Sequence, residues 1–223
     1  MDALVARLAR ARVTDLAIEQ TVTLYHPDGR HPQSTGEQVL YLKPPGRQRL
    51  EQTIDGRREV RLTVGDRAWV RRVDGRVQEA ATAAPGRGRS DLVSPLWRSA
   101  GDLLAEWKAL GVREEVSHLL QLRGRPVLVV GAGPGDRSSP AVWLDELYGV
   151  IRVTTHERLP EGLTLVDLAL SEHRPLLDGF HFPYRQELFA NGRLLLRVVV
   201  RTINVNRSLP DTLFDPEALG QEP

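Results

Sequence analysis

A chain of 223 residues is long enough to bury one sizeable core, and a single all-β domain of that length is routine. Thirty cationic side chains against 29 acidic ones leave a formal net charge of +1, so no global field favours capture of nucleic acid. Cysteine is absent, which excludes a disulfide framework, a thiolate metal site and a cysteine nucleophile.

Residues 2 to 12 read as a short amphipathic helix, with Asp2 as N-cap and Leu4, Val5, Leu8 and Ala9 at helical spacing. From Thr14 to about Arg76 the period changes to two. Ile18, Val22 and Leu24 stand among Glu19, Thr21 and Thr23, and Val60, Leu62 and Val64 alternate with Glu59, Arg61 and Thr63, as in strands with one solvated face. Asp28-Gly29, Asp55-Gly56, Gly65-Asp66 and Asp74-Gly75 fall between these runs and supply the positive φ of tight turns. Turns so close together leave no room for crossover helices, which makes the sheet antiparallel. Pro44-Pro45-Gly46 marks a strand end or bulge.

Residues 81 to 90 form a small-residue connector. After it, Ser94-Pro95 offers an N-cap and an N1 proline. Leu96, Trp97, Ala100, Leu103, Leu104, Trp107 and Leu110 then trace one helix face, up to a stop at Gly111. That face is either plain core or a lid over a cavity; composition alone does not separate the two. The chain then returns to β signals: hairpins around Arg123-Gly124-Arg125 and Glu146-Leu147-Tyr148-Gly149, strands over 163–170 and 184–189, and the Asn191-Gly192 turn into a long strand over 194–205. The last segment, 209–216, tucks Phe214 inside.

Gly131-Ala132-Gly133-Pro134-Gly135-Asp136 comes directly after the apolar run Val127 to Val130 and invites a dinucleotide reading. The third glycine of the fingerprint falls at Asp136, and Arg137-Ser138-Ser139-Pro140 lead on to a strand and not to a helix N-terminus, so a surface loop is expected. No Gly-Lys-Ser/Thr, no Gly-x-Ser-x-Gly elbow and no zinc-protease histidine pair is present. His173 and His181 would approach a metal only through a loop. Asp145 and Glu146 are adjacent and point to opposite faces of a strand. The expectation is no enzyme, no catalytic residues, no metal and no cofactor.

The segments Val39 to Arg49, Leu62 to Val70, Ala141-Val142-Trp143-Leu144-Asp145, Tyr184-Arg185, and Asn204 to Phe214 together resemble the LolA/LolB family of bacterial lipoprotein carriers, in order and over nearly the whole chain. The resemblance implies a mainly β fold. Its parts would be an unclosed antiparallel half-barrel around a central helical lid at about residues 90–111, and an N-terminal helix, in one domain spanning 1–223. It also implies a non-enzymatic periplasmic carrier or chaperone that holds lipoprotein acyl chains or a lipid for delivery to the outer membrane. Inner- and outer-membrane transfer proteins would be its partners. The first residues lack the apolar core of a signal peptide, so an export signal would lie outside this chain. Arg49 matches the family's lid-holding arginine, with Arg47 as a competing register, and Trp69, Leu96, Trp97, Leu103, Leu104 and Trp107 are the lipid-binding or lid candidates. The alternative is a regulatory or sensor module of the RseB kind, or an accessory module of an envelope peptidase.

Overall fold

The computed structural model describes residue 6 and residues 12–80, 97, 99–159, 162–177 and 180–221. Thirteen strands dominate: β1 (Leu16–Tyr25), β2 (Pro32–Lys43), β3 (Arg47–Ile54), β4 (Arg57–Val64), β5 (Arg67–Arg71), β6 (Val77–Ala80), β7 (Ser117–Leu122), β8 (Arg125–Val130), β9 (Ala141–Asp145), β10 (Gly149–Leu159), β11 (Gly162–Leu177), β12 (Phe180–Ala190) and β13 (Arg193–Val205). A helix, α1 (Ala100–Ala109), lies between β6 and β7, and a 3-10 turn (Asp211–Phe214) with a short helix, α2 (Pro216–Leu219), closes the chain. The strand order is β6-β5-β4-β3-β2-β1-β13-β12-β11-β10-β9-β8-β7, one mainly antiparallel sheet that does not close on itself.

Turn chemistry explains this meander. Asp55-Gly56, Arg123-Gly124 and Asn191-Gly192 each place two consecutive residues at positive φ. That is the geometry whose twist matches a two-residue hairpin. Pro44-Pro45-Gly46 is the turn between β2 and β3, where proline's missing N–H costs no ladder bond.

The helix that carries Leu103, Leu104 and Trp107 starts at Ala100. Ser99 is its N-cap: its hydroxyl accepts from the Asp102 N–H at 3.1 Å, while Asp102 accepts from the Ser99 N–H at 3.1 Å. This reciprocal capping box fixes the start at Ala100. Trp97 is therefore not on the helix face: it sits in a turn at φ +68° and is 41% exposed. Ser94-Pro95 and Leu96 lie outside the described residues, as do the 81–90 connector and the N-terminal helix apart from Ala6, which is helical. The stop at Gly111 holds. Gly111 at φ +85° donates to the Lys108 carbonyl at 3.0 Å, and Val112 donates to that of Trp107 at 2.9 Å. Those two bonds make a Schellman motif, with Val112 and Trp107 both buried.

Contacts divide the chain into two compact units. The first comprises Met1–Ala11, Tyr25–His31 and Ala84–Arg197, and the second Arg12–Leu24, Pro32–Ala83 and Val198–Pro223. The core of the second gathers Val60, Leu62, Leu209, Phe214 and Leu219, with Tyr41, Trp69, Val77 and Leu213 packed against it. Phe214 is buried, as its sequence context implies. In the first unit, Val129, Ala132 and Ala141 form a small core backed by Leu120 and Trp143.

Candidate functional site

Alternation along β8 to β12 sorts the side chains of the first unit by face, and the register lines them up across strands. Val130 pairs with Val142, Val142 with Val153, Val153 with Leu168 and Leu168 with Leu188. Residues directly opposite in an antiparallel pair project to the same side. The result is a row of five aliphatic side chains crossing five strands without a charge. A parallel row on the same face runs Leu119, Leu128, Leu144, Val150. Its exposure rises toward the sheet edge, from 8% at Val150 to 37% at Leu128 and 72% at Leu119.

The opposite face of the same strands is built differently. Its apolar part, around Val129 and Ala141, is closed into the small core, and beside that core Trp143 stands opposite Arg152. The guanidinium lies 5.0 Å from the ring centroid and donates to both Asp167 carboxylate oxygens, at 2.8 and 2.6 Å. One side thus offers an uninterrupted run of hydrocarbon, and on the other a partly solvated ion pair breaks the run.

Of the lid candidates, Leu103 and Trp107 are buried and Leu104 half-buried on α1. The end of this helix is held by two close approaches: a Cβ on Gly131 would meet Val112 Cγ1 at 2.8 Å and the Pro140 carbonyl oxygen at 2.3 Å, and one on Gly111 would meet Pro140 Cγ at 3.4 Å. The 131–140 segment is a loop leading into β9, with no helix N-terminus to hold a pyrophosphate. Its turn is organised by Asp136, which accepts from the N–H groups of Ser139 and Ser138 at 3.1 and 2.9 Å. Hydrogen bonds from Ser139 and Ser138 hold the Asp136 carboxyl well below the usual carboxylate range.

Arg49 and Trp69 belong to the second unit and meet in one cross-strand row, Tyr41, Arg49, Leu62, Trp69. Arg49 is 2% exposed. Its Nε donates to Glu51 Oε1 on the same strand at 2.7 Å, and its Nη1 donates to the Leu213 carbonyl at 3.2 Å and so anchors the closing segment. Arg47, the competing register, donates to Asp211 at 2.7 Å, and Lys43 donates to Asp211 at 2.7 Å and to the Leu209 carbonyl at 2.5 Å. All three cations therefore grip the same segment. Trp69 packs on the second unit's core, with the Arg67 guanidinium 4.9 Å from its ring.

Three arrangements escape sequence reasoning. Gln20, Gln38, Gln52 and Glu59 form an amide ladder across β1 to β4, each side chain donating to the next at 2.9, 3.0 and 3.2 Å. The separations in the sequence give no cue to it. The second is the buried Asp15, which accepts from the N–H groups of Arg207 and Ser208 at 2.8 and 3.0 Å and so ties the start of β1 to the segment after β13.

In the third, His173 and His181 approach through the pairing of β11 with β12 and not through a loop, His173 opposite Pro183 and His181 opposite Pro175. Tyr148 joins them. Its ring stacks on His173 at 4.5 Å, meets His181 edge-on at 5.5 Å and carries the Arg125 guanidinium at 4.3 Å. Arg125 in turn donates to buried Asp145 at 2.5 Å, and the N–H groups of Leu147 and Tyr148 fill the same carboxylate oxygen at 2.8 and 2.9 Å. Asp145 is thereby a turn organiser. Burial pushes the His173 imidazole down to about 4, helped by His181 and Arg125 and opposed by Asp145. No group of three or more metal-ligating side chains occurs among the described residues.

No family model and no curated protein matches the chain. Solved structures do. A domain named for outer membrane lipoprotein sorting, from Vibrio parahaemolyticus, aligns over 98% of both chains at 17% identity with a TM-score of 0.62. A DUF1329 family protein from Desulfovibrio piger aligns over 97% of this chain and 96% of its own at 14% identity, TM-score 0.62. A LolA superfamily protein from Nitrosomonas europaea covers 96% of each at 12% identity, again at 0.62. At these identities the likeness shows architecture alone, and it extends end to end: the chain shares its fold with a domain named for outer membrane lipoprotein sorting and with a LolA superfamily protein.

Proposed function

We propose that the chain is a non-enzymatic periplasmic carrier or chaperone that takes lipoprotein acyl chains, or a lipid, onto the apolar face of β8 to β12 and delivers them to the outer membrane. The observation that carries this reading is the uncharged row Val130, Val142, Val153, Leu168, Leu188. Four strand spacings give it a length of roughly 19 Å, the scale of a fatty acyl chain. Each methylene moved from water to such a surface contributes ~0.8 kcal/mol, so an acyl chain needs no ionic or covalent contact. The fold likeness to a lipoprotein-sorting domain supports the same conclusion.

In this reading α1 is the lid. Leu103, Leu104 and Trp107 cover apolar surface in the empty protein, and ligand competes with them for it, so the energy of opening offsets part of the energy of binding. Inner-membrane donors hand the cargo on and outer-membrane acceptors receive it. Native mass spectrometry of the protein purified from its own cells, with titration of a fluorescent acyl probe, tests the proposal. Retained lipid and saturable probe binding are expected; a lipid-free protein that binds no probe overturns it.

A further inference from the structure

Among the described residues the sheet ends at β7, and that strand carries none of the side chains that usually guard an exposed edge. Ser117-His118-Leu119-Leu120-Gln121-Leu122 contains no lysine, arginine, carboxylate, proline or glycine. Leu119 is 72% and Leu122 45% exposed. Edge strands of soluble proteins are ordinarily blunted by one of these devices, since a bare row of N–H and C=O groups templates pairing with another strand.

The ladder decides which groups are bare. Gly131 donates to the Val116 carbonyl at 2.7 Å. Antiparallel bonding alternates, so Val116, His118, Leu120 and Leu122 turn their backbone groups toward β8, leaving those of Ser117, Leu119 and Gln121 on the free edge.

We infer that β7 is a homodimerisation edge, pairing antiparallel with β7 of a second copy about a two-fold axis at Leu119. This register sets Leu119 opposite Leu119 of the second copy and Ser117 opposite Gln121, and about six main-chain hydrogen bonds close the gap. The axis is perpendicular to the sheet, so each face continues into the same face of the other copy. The row Val150, Leu144, Leu128, Leu119 then runs unbroken through the axis into its image. The most exposed leucine of the row is covered by its own equivalent.

Charge selects a second copy over a generic strand. Glu114 and Glu115 precede β7 and Arg123 comes just after it, all exposed and without an ion-pair partner among the described residues. Antiparallel self-pairing brings the acidic end of each strand beside the basic end of the other, on both sides of the axis. A six-residue edge buries less than the ~1,200 Å² of a standard interface, which is the size of a weak, reversible association.

Sedimentation velocity across micromolar concentrations, with hydrogen exchange at the β7 amides, tests this. A reversible monomer–dimer equilibrium is expected, with Ser117, Leu119 and Gln121 gaining protection as dimer accumulates. Leu119→Glu, at an exposed position, abolishes it while leaving circular dichroism unchanged. Glu115→Arg and Arg123→Glu each weaken it several-fold; mixed together the two single variants form a heterodimer, and the double variant recovers wild-type association. A monomer at every concentration, a dimer indifferent to these substitutions, or protection of the β7 amides only when a foreign peptide is added overturns the inference.

Discussion

Both units set an apolar face on an antiparallel sheet: the second buries its face under its own chain end, and the first buries Val142, Val153, Leu168 and Leu188 but exposes the row toward β7. In the second unit Leu209, Phe214 and Leu219 lie on Val60 and Leu62, and Lys43, Arg47 and Arg49 hold the segment by its carbonyls and by Asp211. In the first unit the row from Val150 reaches the edge with Leu128 and Leu119 uncovered. Buried apolar surface contributes stability, whereas the exposed end of the row at Leu128 and Leu119 contributes little of it.

Substitutions should separate the two faces. The largest effect belongs to the covered one: Phe214→Ala removes a buried ring from a closed cluster and should cost about 3–5 kcal/mol in urea unfolding. Next comes pH. The His173 imidazole titrates near 4 in the folded chain against 6.5 when unfolded, so between those values the unfolded state binds a proton that the folded one does not. Stability is complete above about 6.5 and falls as pH drops toward 4, by on the order of 3 kcal/mol before solvent screening reduces it, with Asp145, Arg125 and His181 setting the course. His173→Phe keeps the stack on Tyr148 and should flatten that slope.

Asp211→Ala releases Lys43 and Arg47 from an exposed carboxylate and should lower stability only slightly in the same urea titration, with the difference shrinking further in high salt. Smallest in stability is Leu128→Ala, within about 0.5 kcal/mol. Yet it should weaken acyl-probe binding about tenfold, since its methylenes lie on the proposed path. Equal losses of stability at Phe214 and Leu128 would erase the distinction between the faces.

Much of this architecture is legible in the sequence because it rests on local chemistry. Asp55-Gly56 and Asn191-Gly192 demand positive φ and so announce hairpins, Gly111 announces a helix end, and alternation in β1 and β4 announces one buried face. The start of α1 is not legible in this way: the apolar spacing runs on through Trp97, and only the reciprocal bonds of Ser99 and Asp102 place it at Ala100. Cross-strand arrangements are hidden more deeply. The Val130-to-Leu188 row, the glutamine ladder and the His173–Tyr148–His181 stack each depend on register between strands far apart in sequence, which no spacing rule encodes. Arg49 stands out only through the family resemblance, and its bond to Leu213 gives it a role in holding the closing segment.

The most direct test of carriage is photo-crosslinking with a diazirine fatty acid, then peptide mapping. Labels are expected on Leu128, Val130, Leu144 and the proposed lid residues Leu103, Leu104 and Trp107, with none around Trp143 and Arg152 on the opposite face. Labelling confined to that opposite face, or none above background, would contradict the claim that this apolar surface is where cargo rides.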